Sequence, residues 1–586
     1  MFRRTVFWLM AIVTVASMIV TACAPAATPA PAKPTEAPVA TEAAPAEVPT
    51  KAPAVAERPI LSYASGADAD SLDPQNAKAN PSEAINHMIY NGVVEFDREL
   101  GLYPALAEEM PTVSDDGLVW TIKCRKGIKF HDGTEFDCSA VKYMFDRMLG
   151  LVEADEHKPF KANLWDSIVK EARLVDKWTL EVELYEPFAF FLNNLGHSAS
   201  WIVSPTAHQK AKGKFGTPCA ATDPECVSHA VGTGPFKFVE WVENDHVTLV
   251  ANDDYWKGAP KLGGVNISVV PEAGARVLGL EAGDYQLAVR IPPEEVERLQ
   301  SVEGVTVDIG QTNRALYGAL NNMAEPFNDP KVRLALNYAV DKQKIVNDIY
   351  SGGAVQIPTA VGPLGTGYAD LDPIPYDPAK AKALLAEAGY PDGFETTMQI
   401  VQGRYLKDFE MMQEIAKQLG EVGVKVKLEQ YEWKALLNAV GQGPEVTTAR
   451  IFILGWSPST AEARWALYPT FTTGGDKVIN QKPDGSKDCE TPGSDGKPDF
   501  WAPCGSNRTF YNNPTFDEYI DKATKAVTLE ERDMWLRKAQ EELLANPAAI
   551  WLVAPGQFTG MSEKLKNPHI SPMELVYVDE TTTLEP

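Results

Sequence analysis

Apolar and polar residues alternate in TLEVEL (179–184) and in VGVKVKL (422–428), the period-two pattern of half-buried strands. Between such stretches, apolar residues recur at helical spacing behind recognisable start signals. Asp329-Pro330 offers an N-cap and an N1 proline ahead of VRLALNYAVDKQKIVNDIY, predicting one helix that runs to Gly352-Gly353. Asp377-Pro378 opens AKAKALLAEA, closed by Gly389. Thr528 and Glu531 have capping-box spacing before a helix with Trp535, Leu536, Ala539 and Leu543 on one face. In FEMMQEIAKQL, Phe409, Met412, Ile415, Ala416 and Leu419 share a face, and the alternating strand follows directly. With the apolar run TMQIV (397–401) before it, this unit predicts an α/β domain with a largely parallel sheet. NQKPDGSKDCETPGSDGKPDFWAPC (480–504) has no periodicity and reads as an inserted surface loop.

The N-terminal end breaks this pattern. Arg3 and Arg4 precede an apolar run from Val6 to Val20, the layout of a secretory signal segment rather than a membrane-spanning helix. Val20-Thr21-Ala22-Cys23 resembles the lipobox of bacterial lipoproteins, which implies a signal peptide over 1–22 and lipid modification of Cys23; an ordinary export signal is the rival reading. Residues 24–58 contain eight Pro and almost no core-forming side chains, so 23–58 reads as an extended tether reaching about 100 Å. The anchor implies a body held at the outer face of the cell membrane or in the periplasm, attached to the bilayer without spanning it.

Composition narrows the function. The chain has 586 residues, 54 Lys+Arg and 80 Asp+Glu, a formal net charge of −26. That length supports about three to five domains, and the charge argues against nucleic-acid binding, which needs a basic face. Thirteen Trp are enough to supply a pocket as well as a core. Apart from Cys23, the cysteines fall as neighbouring couples: Cys124 with Cys138, Cys219 with Cys226, and Cys489 with Cys504. Three local disulfides in an oxidising compartment are the preferred reading, although six cysteines allow fifteen pairings. Zinc is disfavoured because no CxxC or Cys/His cluster has ligand spacing. Catalytic motifs are absent: there is no Walker A sequence, no HExxH, and Gly196-His-Ser-Ala-Ser200 lacks the closing glycine of a nucleophile elbow. His131-Asp132-Gly133 reads as a turn, and the Asp/Gly content of 480–504 does not match a calcium loop. The residues call for no metal or cofactor.

Longer stretches carry a resemblance. Ser71-Leu72-Asp73-Pro74, IYNGVVEFD (89–97), LYPALAEE (102–109), DGLVWTIKCRKGIKFHDGTEFDCSAVKYMFDR (116–147), VGTGPFKFVEWVENDHVTLVANDDYWKG (231–258), FNDPKVRLALNYAVDKQKI (327–345), YDPAKAKALLAEAGYPDG (376–393) and Gly455-Trp456 occur in one order. In that order they resemble the family 5 extracellular solute-binding proteins, the receptor subunits of ABC importers for peptides, nickel and some oligosaccharides. The resemblance implies an α/β, two-lobed periplasmic-binding-protein type II fold with an additional domain and a hinge. It places lobe I at 59–92, 201–318 and 556–586, the extra domain at 93–200, and lobe II at 319–555. It also implies a monomer that closes on a small solute without covalent chemistry and then docks on membrane permease subunits.

For peptide binders of the family, the resemblance implies an ammonium-holding Asp where this chain has Ser459, and an Arg where it has Ile453. Thr460 flanks that position, Glu462 and Arg464 lie close enough to substitute, and Trp433 matches a pocket tryptophan. Trp433, Trp456 and Trp465 would give stacking platforms; the bland alternative for each is core packing. An oligopeptide-like solute is the expectation and an oligosaccharide the alternative. A lipid-anchored hydrolase would need a catalytic constellation that the motifs do not supply, and an adhesive surface protein would leave the ordered motifs unexplained.

Overall fold

The computed structural model describes residues 58–155, 157–440, 447–473 and 507–586. Residues 1–57, with the signal segment, Cys23 and nearly all of the tether, lie outside them, as does the Cys489–Cys504 pair. Two sheets dominate. The first has seven strands in the order Val305–Gly310, Gln557–Ser562, Leu287–Val289, Ile60–Ser65, Gly264–Val269, His246–Ala251 and Phe236–Val242. The second has six: Ala354–Gln356, Ala549–Pro555, Ala315–Leu320, Ile451–Trp456, Glu395–Ile400 and Lys425–Gln430. Ala315–Leu320 and Ala549–Pro555 are buried along their whole length, which is why both read as unbroken runs of small and apolar residues.

The chain passes between the sheets at 311–314 and again at Gly556. The expected lobe boundary at 318/319 falls inside Ala315–Leu320, a strand of the second sheet paired on both sides. This routing also corrects the expected largely parallel sheet. Glu395–Ile400 runs parallel to both its neighbours, whereas Ala315–Leu320 leaves the hinge and Ile451–Trp456 and Ala549–Pro555 return towards it, giving antiparallel pairings. The sheet is mixed.

The helix expected from Asp329-Pro330 is two. Pro330–Ala339 stops at Val340, and Lys342–Asp348 starts afresh with Asp341 as N-cap, its carboxylate accepting from Lys344 N at 2.9 Å. Lys342 Nζ donates to the carbonyls of Asn337 and Ile374, filling an orphan acceptor at the end of the first helix. Pro378–Glu387 and Leu529–Ala545 begin at Asp377 and Thr528, each side chain accepting from a backbone N–H of the first turn.

A four-stranded antiparallel sheet, Thr112–Val113, Val119–Lys123, Thr179–Leu184 and Val169–Asp176, packs against the helix Cys138–Leu149. Thr179–Leu184 alternates as its sequence predicts, with Leu180, Val182 and Leu184 buried. Cys124–Cys138 and Cys219–Cys226 are disulfides, with Cα atoms 5.6 and 5.5 Å apart. The Ser71–Pro74 motif docks this unit: Asp73 meets Arg147 at 2.9 Å, Arg147 meets Asp155 at 2.9 Å, and Asp155 meets His208 at 3.2 Å. His131–Gly133 is a turn, with Gly133 at φ 84° and Asp132 accepting from Thr134 N. Gly232 and Gly234 allow a backbone approach, since a Cβ on Gly232 would sit 2.2 Å from the Ile89 carbonyl oxygen.

Candidate functional site

Strand direction locates the site. In the first sheet, Val305–Gly310 and Leu287–Val289 flank Gln557–Ser562 and both run antiparallel to it. Leu287–Val289 is parallel to Ile60–Ser65, itself parallel to Gly264–Val269, so all these carboxyl ends lie on the hinge side. In the second sheet, Ile451–Trp456 returns to the hinge with its parallel neighbour Glu395–Ile400, itself parallel to Lys425–Gln430. Open α/β sheets bind ligands outside the carboxyl ends of parallel strands. Here both sheets turn those ends to one hinge.

On the second sheet the loops at this end are 401–407, 431–433 and 457–462. Asp408 shapes the first, its carboxylate accepting from the N–H groups of Gly403, Arg404 and Tyr405 at 2.8–3.0 Å. Tyr405 OH accepts from Gly455 N at 2.9 Å, and a Cβ at Gly455 would lie 2.5 Å from Leu316 and 2.8 Å from the Tyr405 ring. Only glycine fits before Trp456. Trp433 opens the helix Trp433–Val440, half-buried and edge-on to Tyr405 with ring centres 5.9 Å apart. The Arg404 guanidinium lies 4.9 Å from the Tyr405 ring and 5.2 Å from that of Trp433. Trp456 ends its strand half-exposed, with its Nε1 buried and lacking a partner among the described residues.

Asn313, in the hinge crossing, fixes the third loop by accepting from Ser457 Oγ at 2.6 Å and donating to the Pro458 carbonyl at 3.1 Å. Ser459 is exposed, yet its hydroxyl meets His197 Nε2 at 2.8 Å. His197 Nδ1 accepts from Ala199 N at 2.9 Å, so Nε2 carries the ring proton and donates it. Burial, with the Lys161 ammonium adding to it, holds His197 neutral, well below its ordinary pKa. A serine–histidine pair in this tautomer cannot take the hydroxyl proton, so it has the wrong arrangement for a nucleophile and its base. The Thr460 carbonyl accepts from Asn193 Nδ2 at 3.1 Å.

Glu462 and Arg464 are occupied by the fold. Glu462 is the N-cap of Ala463–Phe471: Oε1 accepts from Trp465 N at 2.9 Å, while buried Oε2 has no partner among the described residues. Burial pushes this carboxyl up to about 7 against the pull of Arg464 and Arg532. Arg464 donates to Thr524 Oγ1 at 2.8 Å and lies 4.4 Å from the Tyr468 ring and 5.4 Å from that of Phe188. Trp465, on the same helix, packs half-buried on the main core. Trp433 and Trp456 thus stand at the hinge end with Ser459, whereas Glu462, Arg464 and Trp465 serve the helix behind it.

Several residues at this end escaped the sequence reading. Arg404 and Tyr405 follow the apolar strand directly, a position that topology alone makes significant. On the first sheet, Arg290 leaves Leu287–Val289 with φ 55° and an exposed side chain. The lobes meet where Lys407 pairs with Glu294 at 3.1 Å and Leu406 packs on the cluster of Ile291 and Phe558. Two surface hollows of about 590 and 620 Å³ include no residue of the three loops. Among the described residues, no group of His, Cys, Asp and Glu could hold a metal ion, and no helix is long and apolar enough to cross a membrane.

Comparison with known proteins agrees with this geometry. The sequence model "Bacterial extracellular solute-binding proteins, family 5 Middle" matches residues 101–477. The glutathione-binding protein GsiB of Pectobacterium atrosepticum is 32% identical over 525 residues, spanning 89% of this chain and 93% of that protein. Among solved structures, the periplasmic binding protein DppA of Helicobacter pylori in complex with the peptide STSA superposes with a TM-score of 0.68 at 27% identity, covering 90% of this chain and 98% of that one. HbpA2 of Haemophilus parasuis matches with a TM-score of 0.74 at 23% identity over 90% of this chain and 100% of the other, a likeness of fold alone.

Proposed function

The chain belongs to the bacterial extracellular solute-binding proteins of family 5, and on that footing we propose that it is the substrate-binding lipoprotein of an ABC importer for a short peptide-like solute. The observation that carries the reading is the convergence of both sheets' carboxyl ends on one hinge, where Trp433, Trp456 and Arg404 leave aromatic surface and donors uncommitted. The first lobe comprises 59–92, 201–314 and 556–586, the extra domain 93–200, and the second lobe 315–555. Closure buries the solute, and the closed monomer delivers it to the permease without covalent change. Cys23 is the lipid-bearing residue, and 23–58 tethers the body outside the cytoplasm.

A peptide is favoured because GsiB is named for glutathione and the DppA structure holds a peptide. A neutral oligosaccharide is the second reading: Ser459 offers no charge, and Trp433 and Trp456 suit a sugar face. Native mass spectrometry of solute carried through purification tests the role directly. A peptide-sized adduct supports the first reading and a hexose-ladder mass the second. A protein that retains no solute, and whose melting temperature no peptide or sugar raises, is not a receptor of either kind. Cys23→Ser is expected to leave an unprocessed precursor without acyl label; a labelled, processed variant would remove the anchor.

A further inference from the structure

The loops that meet across the hinge each carry a guanidinium without an acidic partner. Arg290 is an outward-pointing arginine in the left-handed region, a conformation that a side chain as large as this rarely adopts. It is held there by Arg276, which is buried and spends its guanidinium on four carbonyls: Val270 at 2.7 Å, Pro271 at 2.9 Å, Val289 at 2.9 Å and Arg290 itself at 3.0 Å. One buried cation thus pins the carboxyl ends of two parallel strands so that a second cation stands free above them. Across the seam, Asp408 fixes the backbone of Arg404 in the same way, and the side chain lies along Tyr405 and Trp433. Neither Arg290 nor Arg404 has a side-chain hydrogen bond or ion pair among the described residues.

The neighbouring acids are mostly taken. Glu294 pairs with Lys407, Glu295 with Arg298, Glu574 with Arg314, and Asp408 serves the backbone. Glu432, beside Trp433, is exposed and forms no ion pair among the described residues, so an amino group on the solute has a place but no buried partner. The Glu294–Lys407 contact joins these two loops, with Arg290 four residues from one end of the pair and Arg404 three from the other. In a chain of net charge −26, two free cations on the loops of one seam reverse the local sign of charge and favour an anion there.

We infer that Arg290 and Arg404 are the two halves of a clamp for a small solute with two acid groups, one taken by each lobe. This rests on the receptor reading and narrows it: the solute is a short peptide-like diacid, and its two acid groups bridge the loops of the two lobes. Guanidinium suits the task because its planar donors match a carboxylate in pairs.

Calorimetry on the full body with glutathione, its monoethyl and diethyl esters, an amino- and carboxyl-blocked tripeptide and a neutral trisaccharide tests the clamp. Glutathione is expected to bind, and each esterification to weaken binding about 10- to 100-fold. Arg290→Gln and Arg404→Gln should each weaken the diacid by a similar factor, with unchanged melting temperatures because both side chains are exposed. Against the monoester, one variant should lose nothing further, identifying which lobe holds the esterified end. Binding of the blocked peptide or the trisaccharide as tightly as the diacid, or diacid binding within twofold of the parent in both variants, overturns the clamp and leaves the receptor reading intact. Failure of every compound to bind, with no solute retained through purification, overturns both.

Discussion

Where the first lobe meets the four-stranded sheet, each carboxylate oxygen of Asp73 and Asp155 has a partner, and Arg147 is wholly buried between them. At the hinge end, Arg290, Arg404 and Trp456 Nε1 have no hydrogen-bond or ion-pair partner among the described residues. Both regions carry charge, and the difference lies in saturation. A fully paired buried network fixes how two units dock, because any departure strands a charge in low dielectric. Polar groups left unpaired at the carboxyl ends of strands hold bonding capacity in reserve, which is what a solute site requires.

Arg147 carries the largest expected effect. Arg147→Met strands Asp73 and Asp155 and should lower unfolding stability by about 3–5 kcal/mol. Burial opposes ionisation of Asp155, but hydrogen bonds from His208 and Arg147 and the Arg147 charge win, holding its pKa at about 2. Depression below the ordinary value near 3.8 means this stabilisation is full above that value and is lost as pH falls towards 2. The variant should therefore lose acid sensitivity as well as stability, while solute affinity stays within about threefold. Denaturant curves at pH 3 and 7 decide it; an unchanged midpoint at pH 7 would show that the network does not bear on docking.

Trp456→Ala gives the reverse pattern. Its indole lies at the end of a strand already fixed by pairing with Ala315–Leu320, so the expected loss is solute binding, by about 100-fold or more, with a smaller change in melting temperature. Intact binding by calorimetry would return Trp456 to the core.

Glu462 tests the boundary between the two regions, as an unpaired group that belongs to the fold. Its carboxyl is raised to about 7, so the native state holds its proton more tightly than the unfolded chain. Stability from this residue is full below about 4.5 and is lost as pH rises through 7, on the order of 3 kcal/mol. Glu462→Gln should be more stable than the parent at pH 8 and equal to it at pH 4. A variant less stable at both values would mean that the ionised N-cap outweighs burial.

Local signals in the sequence were sufficient for much of the fold. Asp329, Asp377 and Thr528 cap helices where side-chain chemistry places them, and Thr179–Leu184 shows its buried face in its alternation. The interruption at Val340 was written in Asp341, but continuous helical spacing on both sides concealed a second N-cap. Strand direction in the second sheet was not legible, because it depends on where the chain crosses the hinge. The site shared that limit. Trp433 and Trp456 stand out by type, whereas Arg290, Arg404 and Tyr405 matter only once topology brings three loops and two lobes to one end. Glu462 shows the converse: an acid four residues before an apolar helical face has the spacing of a cap, and it is one.

The smallest effect is expected at Ser459. Its hydroxyl accepts the Nε2 proton of His197, and His197 sits at the edge of the segment whose Asn193 also reaches Thr460, so this pair helps seat the extra domain on the second lobe. Ser459→Ala removes the acceptor but leaves an exposed position, where water can take the imidazole proton. The net cost is then about 0.5–1 kcal/mol, the ordinary value of an intramolecular hydrogen bond whose donor stays solvated. His197→Ala should cost more, because it also frees the N–H of Ala199 in a buried turn. If Ser459 touches only His197, both variants shift the melting temperature while solute affinity changes less than about threefold. A loss of affinity above tenfold in Ser459→Ala, without a matching loss in His197→Ala, would make the hydroxyl a direct solute contact and move Ser459 from the docking surface to the clamp.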